Sequence, residues 1–67
     1  DIIRLVDLMI NAAHEKRASD IHIEPEEDAV IVRFRIDGVM HEFLRYSLDF
    51  HEKVVFRIKI LARMRTD

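Results

Sequence analysis

The 67-residue sequence contains no cysteine and no tryptophan, and it has one glycine and one proline. The absence of cysteine excludes disulfide bonds and thiolate metal sites, which are two common supports of a small hydrophobic core. A chain of this length buries only about 60% of the surface that its unfolded form exposes. We therefore expect it to pack against another domain or subunit.

The single glycine, Gly38, excludes the familiar glycine-rich phosphate loops. Neither GxxxxGK[ST] nor GxGxxG can be written with one glycine, so the chain cannot hold a nucleotide by itself in either way. The sequence also offers few nucleophiles for covalent catalysis, because helix-capping or turn roles account for Ser19 and Ser47. We expect no enzymatic activity from the chain alone.

The beginning of the chain also lacks several features. No run approaches the roughly 20 apolar residues of a membrane span, and the first residues lack the basic segment and cleavage site of a signal peptide. The sequence opens on Asp1 without a methionine. These features predict a fragment of a longer cytoplasmic protein, with residues 1–67 forming a single partial domain.

Charged residues make up 36% of the chain, and the two signs are separated along it. Residues 15–28 hold six acidic and two basic side chains, whereas residues 33–65 hold eight basic and four acidic ones. Solvated faces of amphipathic elements produce such blocks. A basic surface that meets phosphate or an acidic protein produces them too, and both interpretations stay open at this point.

The spacing of apolar residues predicts two helices and three strands. Residues 1–17 follow the 3.6-residue period of an amphipathic helix. Residues 20–24, 29–37 and 39–46 alternate polar and apolar side chains, as half-buried strands do. A final helix follows Ser47, which suits an N-cap. This order predicts an α+β fold in which the helices pack on a three-stranded, mainly antiparallel sheet.

The dipeptide Asp37-Gly38 is the strongest local signal in the sequence. It is favoured in two-residue type I′ hairpin turns, because both central residues of that turn need positive φ. A turn of this kind predicts three facing pairs: Ile36 with Val39, Val32 with Phe43, and Arg33 with Glu42. The last pair would form an ion pair across the two strands.

Polar residues interrupt the expected sheet pattern at two places. Strict alternation puts His41 and Arg45 on the apolar face of the returning strand, so either that face is not buried along its whole length or the register differs. His22 and Glu24 share one face of the first strand at a spacing that metal ligands use. A third ligand is not evident, and we expect a structural or surface role for His22.

Arg33 and Arg35 project from the polar face of the second strand, beside the basic final helix. Two guanidinium groups on one face can reach a phosphate that another domain holds, because the planar fork stays charged and binds in a bidentate way. The simpler interpretation is an ion pair of Arg33 with Glu42 beside a solvated Arg35. The residues by themselves leave both possibilities open.

Both predicted helices carry more apolar surface than one core contact needs. On the first helix, Leu5 and Leu8 widen the apolar arc. On the final helix, Phe56, Ile60 and Met64 form a second stripe nearly opposite the core face. Exposed stripes of this kind mark interaction surfaces. We therefore predict that these five residues contact a partner.

Three blocks of the sequence resemble the hexameric secretion ATPases that power type II secretion and type IV pilus assembly. They are ASDIHIEP at residues 18–25, VRFRIDG at residues 32–38 and RIKILARM at residues 57–64. In that family the corresponding blocks mark the N-terminal domain directly before the RecA-like catalytic domain. The blocks stand in the family's order and at its spacing, and the likeness covers nearly the whole chain.

The resemblance implies a PAS-like domain, joined by a flexible linker to a catalytic domain with Walker motifs. ATP and Mg would be bound by the parent protein and not by the fragment alone. The resemblance also implies a homo-hexamer, in which this domain packs against the catalytic domain of the same or the adjacent subunit and transmits nucleotide state. Arg33 and Arg35 match arginines that lie near the nucleotide phosphates when the domains close, where an arginine stabilises charge developing on the γ-phosphate.

The same resemblance implies a cytoplasmic location peripheral to the inner membrane, with secretion or pilus platform proteins as partners and no nucleic acid. The sequence departs from the family at Tyr46-Ser47-Leu48, where a proline is common, and at Leu48-Asp49, where another basic residue is common. The family's continuation after RIKILARM is absent, which predicts a truncated domain. ASDIHI favours secretion or pilus extension over retraction, whose members usually read ASDLHL.

Two other classes of function stay open. A free-standing nucleic-acid- or protein-binding module would use the basic strand and the final helix. The acidic residues 15–28, the lack of a GxxG loop and the absence of an aromatic stacking pattern weigh against nucleic acid. A structural dimerisation domain would form a symmetric dimer, whereas a ring requires heterologous contacts.

Overall fold

The computed structural model describes the backbone of residues 1–66 and the side chains of residues 1–64. Its elements follow in the order α1 (Ile2–Glu15), β1 (Asp20–Pro25), β2 (Val30–Ile36), β3 (Val39–Tyr46), a 3₁₀ turn (Leu48–Phe50) and α2 (His51–Thr66). The strands form one antiparallel sheet in the order β1-β2-β3. The α+β fold predicted from the sequence is confirmed.

Local chemistry sets both ends of α1. The Asp1 carboxylate accepts a hydrogen bond from the backbone N–H of Ile3 at 2.9 Å, so a negative group caps the positive end of the helix dipole. Arg17 adopts φ 56°, a left-handed conformation that ends a helix. The helix therefore stops at Glu15, two residues before the predicted end.

The hydrophobic core lies between the helices and one face of the sheet. β2 is the central strand, and Phe34 on it is 1% exposed and stacks on Phe43 of β3 with ring centroids 4.6 Å apart. The core cluster consists of eight buried side chains from both helices, β2 and β3: Val6, Met9, Ala13, Val30, Val32, Phe34, Tyr46 and Val54. Because these β2 residues are alternate ones, the residues between them project from the opposite face.

The turn between β2 and β3 has the predicted type I′ character. Asp37 and Gly38 adopt φ values of 51° and 80°, and Ile36 lies opposite Val39. Both central residues thus have the positive φ that this turn requires. The predicted two-residue hairpin is confirmed.

One irregularity in β3 changes the register that strict alternation predicts. Val32 lies opposite Leu44, whereas the next residue, Arg33, lies opposite Glu42. Phe43 is therefore the extra residue of a β-bulge. The predicted register of Arg33 with Glu42 is confirmed, and the predicted pairing of Val32 with Phe43 is wrong.

The bulge moves the side chains that follow it to the opposite face of the sheet from the one that strict alternation predicts. Arg45 lies opposite Ile31, away from the core, while Tyr46 lies opposite Val30 and is buried. Of the two alternatives left open for Arg45, a different register is the correct one, because one inserted residue shifts the two-residue period. His41, before the bulge, does share a face with Phe34, but it lies at the exposed end of the strand.

The connection into α2 is capped and hydrogen-bonded. Ser47 Oγ accepts from the Asp49 backbone N–H at 3.2 Å, so the predicted cap begins the 3₁₀ turn that leads into the helix. Burial raises the pKa of Tyr46, whose hydroxyl lies 3.0 Å from His51 Nδ1. α2 is anchored to the core by Val54. Within residues 1–66, no helix is long and apolar enough to cross a membrane.

Candidate functional site

The sheet face that the helices leave uncovered is here called the open face. It carries Arg33 and Arg35, the predicted phosphate contacts, together with His22 and Glu24. Its side chains come from alternate positions of β1 and β2 and, across the bulge, from Met40, Glu42 and Arg45 of β3. The antiparallel pairing aligns them in three rows across the sheet. The rows are Asp20–Arg35–Met40, His22–Arg33–Glu42 and Glu24–Ile31–Arg45.

Arg33 occupies the centre of the open face and is held by a carboxylate of β1. Its Nη1 donates to Glu24 Oε1, which lies diagonally across the β1–β2 pair. Glu42 accepts instead from Arg45, with Nε at 2.9 Å from Oε2 and Nη2 at 3.0 Å from Oε1. The predicted Arg33–Glu42 ion pair is therefore wrong. The bulge brings Arg45 onto the face of Glu42, where its two-pronged contact takes both carboxylate oxygens.

Arg35 lies directly opposite Asp20, and its Nε is 3.3 Å from Asp20 Oδ2. The same carboxylate accepts from Ser19 Oγ at 2.8 Å, and its Oδ1 contacts His22 Nε2. The hydrogen bond from Ser19, with further contributions from His22 and Arg35, holds the pKa of Asp20 below its ordinary value. Asp20 thus contacts three side chains, those of Ser19, His22 and Arg35.

The open face is electrically balanced. Its three arginines match three carboxylates one to one: Arg33 with Glu24, Arg35 with Asp20 and Arg45 with Glu42. The side chains of Arg33 and Arg35 are 32% and 40% exposed, and each of these two pairs engages one guanidinium nitrogen. Both guanidinium groups therefore keep N–H donors for an additional anion.

The histidine and carboxylates of β1 do not converge on a metal. Among the described residues, no group of three or more His, Cys, Asp or Glu side chains is arranged to hold an ion. His22 contacts Asp20, while Glu24 accepts from Arg33. These side chains therefore contact each other or an arginine.

The residues predicted to form interfaces differ in exposure. Phe56 and Met64 of α2 are 65% and 68% exposed, and Leu8 of α1 is 52% exposed. Ile60 is half-buried. Leu5 is half-buried and packs against the core cluster, so the chain itself covers part of its surface.

The match to known proteins covers the chain from end to end. Residues 1–67 match the family described as type II/IV secretion system protein. The chain belongs to this family. The resemblance to secretion ATPases drawn from the three sequence blocks is thereby confirmed.

Relatives within the secretion-system family are close in sequence and much longer. The chain is 46% identical over 63 residues to the type IV pilus assembly ATPase PilB of Myxococcus xanthus. It is 48% and 49% identical over 63 residues to the type II secretion system protein E of Aeromonas hydrophila and of Xanthomonas campestris pv. campestris. These matches cover 94% of this chain and 11–13% of each relative's length.

Sequence reasoning placed Arg33 and Arg35 on the polar face of this secretion-system chain but missed their partners. Asp20 and Glu24 were visible as the polar positions of an alternating strand. Linking them to the arginines required the register of β1 against β2, and that register is not set by a two-residue turn. The β2–β3 hairpin, whose register follows from its turn, indicated Glu42 as the partner of Arg33 instead.

Proposed function

We propose that the chain is part of the N-terminal domain of a hexameric ATPase that powers secretion or pilus assembly. In this role it transmits the nucleotide state of a catalytic domain and directs Arg33 and Arg35 toward the phosphates of the nucleotide bound there. Membership of the secretion-system family supports the parent's class, and so do relatives named as a pilus assembly ATPase and as type II secretion proteins. The observation that carries the arginine role is their common position on the open face.

The geometry of the two arginines suits a polyphosphate. Arg33 and Arg35 are two residues apart on the central strand, so their backbones are separated by about 7 Å along one face. A central strand paired on both sides is a rigid support. When another domain closes over this face, the exclusion of water would strengthen the attraction between the guanidinium groups and a phosphate.

The proposal divides the chemistry between two domains. ATP and Mg²⁺ would be held by a catalytic domain of the same or the adjacent subunit, because one glycine is too few for either phosphate loop in this chain. The exposed apolar side chains Leu8, Phe56 and Met64 would face that neighbour. The PAS-like character, the cytoplasmic site beside the inner membrane and the platform proteins as partners belong to the same proposal.

The test replaces Arg33 in the full-length protein that carries this chain. Arg33→Ala is expected to lower ATP turnover by about 10³-fold, the lower end of what a trans-acting arginine supplies. Nucleotide affinity, measured by titration of a fluorescent ATP analogue, is expected to change far less, because the arginine acts mainly on charge in the transition state. Arg33→Lys should recover only part of the rate, since an ammonium group lacks the planar fork.

Arg45→Ala is the matched control, because this arginine lies on the same face but is engaged by Glu42 through two nitrogens. Its turnover should stay near that of the unmodified protein. Equal turnover in Arg33→Ala and the unmodified protein would contradict the proposal. A filter-binding titration addresses the nucleic-acid class, since steep salt-dependent affinity of the chain would favour that alternative.

A further inference from the structure

We infer that Glu24 and Asp20 of β1 are positioning residues for the phosphate-directed arginines of β2. Each carboxylate holds one guanidinium group over the open face before a nucleotide arrives. This inference rests on the proposed function of Arg33 and Arg35. It adds to that function the residues that orient the arginines.

The Glu24 contact leaves Arg33 usable. Glu24 Oε1 accepts from Nη1 alone, and among residues 1–64 this is the ion pair that the Arg33 side chain forms. Nε and Nη2, one edge of the guanidinium group, stay available for a two-pronged contact with a phosphate. The side chains of Glu24 and Arg33 are 42% and 32% exposed, so the pair lies at a surface that an incoming domain can reach.

The Asp20 contact engages a different nitrogen of its arginine from the one that Glu24 engages. Asp20 meets Arg35 at Nε, which leaves both terminal nitrogens of this arginine available. Ser19 and His22 fix the carboxylate from two further directions. The backbone N–H of Ser19 also donates to the Arg35 carbonyl oxygen at 2.9 Å, so the carboxylate and the arginine are tied together at the start of β1.

Arg45 forms a tighter ion pair on the same face. Glu42 takes both Nε and Nη2 of Arg45 at 2.9 and 3.0 Å, which occupies one whole edge of this guanidinium group. Arg33 donates to Glu24 through one nitrogen, and one nitrogen of Arg35 lies 3.3 Å from Asp20. Arg45 donates through two. The Arg45 side chain is therefore more firmly restrained by its carboxylate than the Arg33 or Arg35 side chain.

Orientation matters because a long arginine side chain has many rotamers and loses that freedom when it engages a ligand. A carboxylate that already restrains the guanidinium group reduces the loss at the moment of domain closure. Misplacement of a catalytic group by about 1 Å can lower a rate by roughly 10²-fold. Removal of Glu24 should therefore act on turnover through Arg33.

The experiment is a double-mutant cycle on ATP turnover in the full-length protein. Glu24→Ala is expected to lower kcat by about 10- to 100-fold with little change in nucleotide affinity. Glu24→Gln should restore most of the rate, because the amide oxygen still accepts the bond from Nη1. Glu24→Ala should have no further effect when Arg33 is already alanine, since a positioning residue acts only through the group that it holds.

Three results would overturn the inference while leaving the proposed function intact. They are a loss from Glu24→Ala that is equally large in the Arg33→Ala background, an unchanged or raised kcat in Glu24→Ala, and a failure of Glu24→Gln to restore the rate. Unchanged turnover in Arg33→Ala alone would instead overturn the proposed function, and the inference with it. Thermal unfolding of each variant, expected near that of the unmodified protein, excludes loss of structure as the cause.

Discussion

The partners of Arg33 and Arg45 depend on where neighbouring strands bring a carboxylate. Arg33 lies opposite Glu42 in the register, yet it bonds Glu24 of the other neighbouring strand. Arg45, turned outward by the bulge, takes Glu42. An exposed ion pair contributes little to stability. We propose that the pair of Arg33 with Glu24 instead gives direction to the guanidinium group.

Asp20 makes the stability of the chain depend on pH in the acidic range. The hydrogen bond from Ser19 is the largest cause that lowers its folded pKa below 3.8. A carboxyl with a lowered folded pKa stabilises the fold fully above its unfolded pKa, and the contribution is lost as the pH falls through the folded value. Asp20→Asn should therefore be less stable than the unmodified chain at about pH 6, and the difference should shrink toward about pH 2.

Urea denaturation of the chain across this pH range measures the difference directly. Glu27→Gln is the matched control, because Glu27 lies in the exposed connection between β1 and β2. Its stability should follow that of the unmodified chain at each pH. A gap between Asp20→Asn and the unmodified chain that stays constant with pH would contradict the assignment of the Asp20 contacts.

The β2–β3 hairpin combines a turn that local sequence specifies with a bulge that it does not. Asp37-Gly38 meets the φ requirement of a type I′ turn, so the hairpin starts in the predicted register. Phe43 then adds one residue to β3 and moves Arg45 to the open face. The core gains Tyr46 in exchange, and its hydroxyl lies 3.0 Å from His51 at the start of α2.

Gly38→Ala tests the turn. Gly38 has φ 80° and nothing within 4 Å of the position that a Cβ would take, so the substitution is resisted by backbone conformation and not by crowding. We expect a loss of about 1–2 kcal/mol in the free energy of unfolding, the cost of a left-handed conformation for a residue with a Cβ. Asp37→Asn should change it by less than about 0.5 kcal/mol, because asparagine suits this turn equally well. Equal stability of Gly38→Ala and the unmodified chain in urea denaturation would count against the type I′ turn.

The molecule as a whole has apolar surface on two sides of its helical layer. The inner side packs Val6, Met9 and Val54 against the sheet. The outer side leaves Phe56 and Met64 more than half exposed. In a chain that matches 11–13% of the length of its relatives, such surface is where we propose contact with the rest of the protein.

Substitution of two phenylalanines compares the buried inner surface with the exposed outer surface. Phe34→Ala removes a ring that is 1% exposed and stacked on Phe43, and it should lower the free energy of unfolding by about 3–5 kcal/mol. Phe56→Ala removes a ring that is 65% exposed, and the change should stay within about 0.5 kcal/mol. Denaturation of the chain in urea gives both values. A comparable loss from Phe56→Ala would show that α2 packs through its outer stripe.

The sequence by itself determined the features that depend on local chemistry and on periods along the chain. These include the two helices, the three strands, the cap at Ser47, the hairpin turn and the placement of Arg33 and Arg35 on the polar face. Three recognisable blocks also sufficed to indicate the family. Each of these signals is contained within a few consecutive residues or a repeat of two or 3.6 residues.

Only the tertiary structure decided which side chains meet. The pairing of Arg33 with Glu24 follows from the alignment of β1 on β2, and the pairing of Arg45 with Glu42 follows from one extra residue in β3. Neither is encoded in a local period, because strand alignment and bulges are selected by how the whole apolar face packs against the helices. For that reason the arginines were predictable as a pair, whereas the carboxylates that contact them became visible only in the folded sheet.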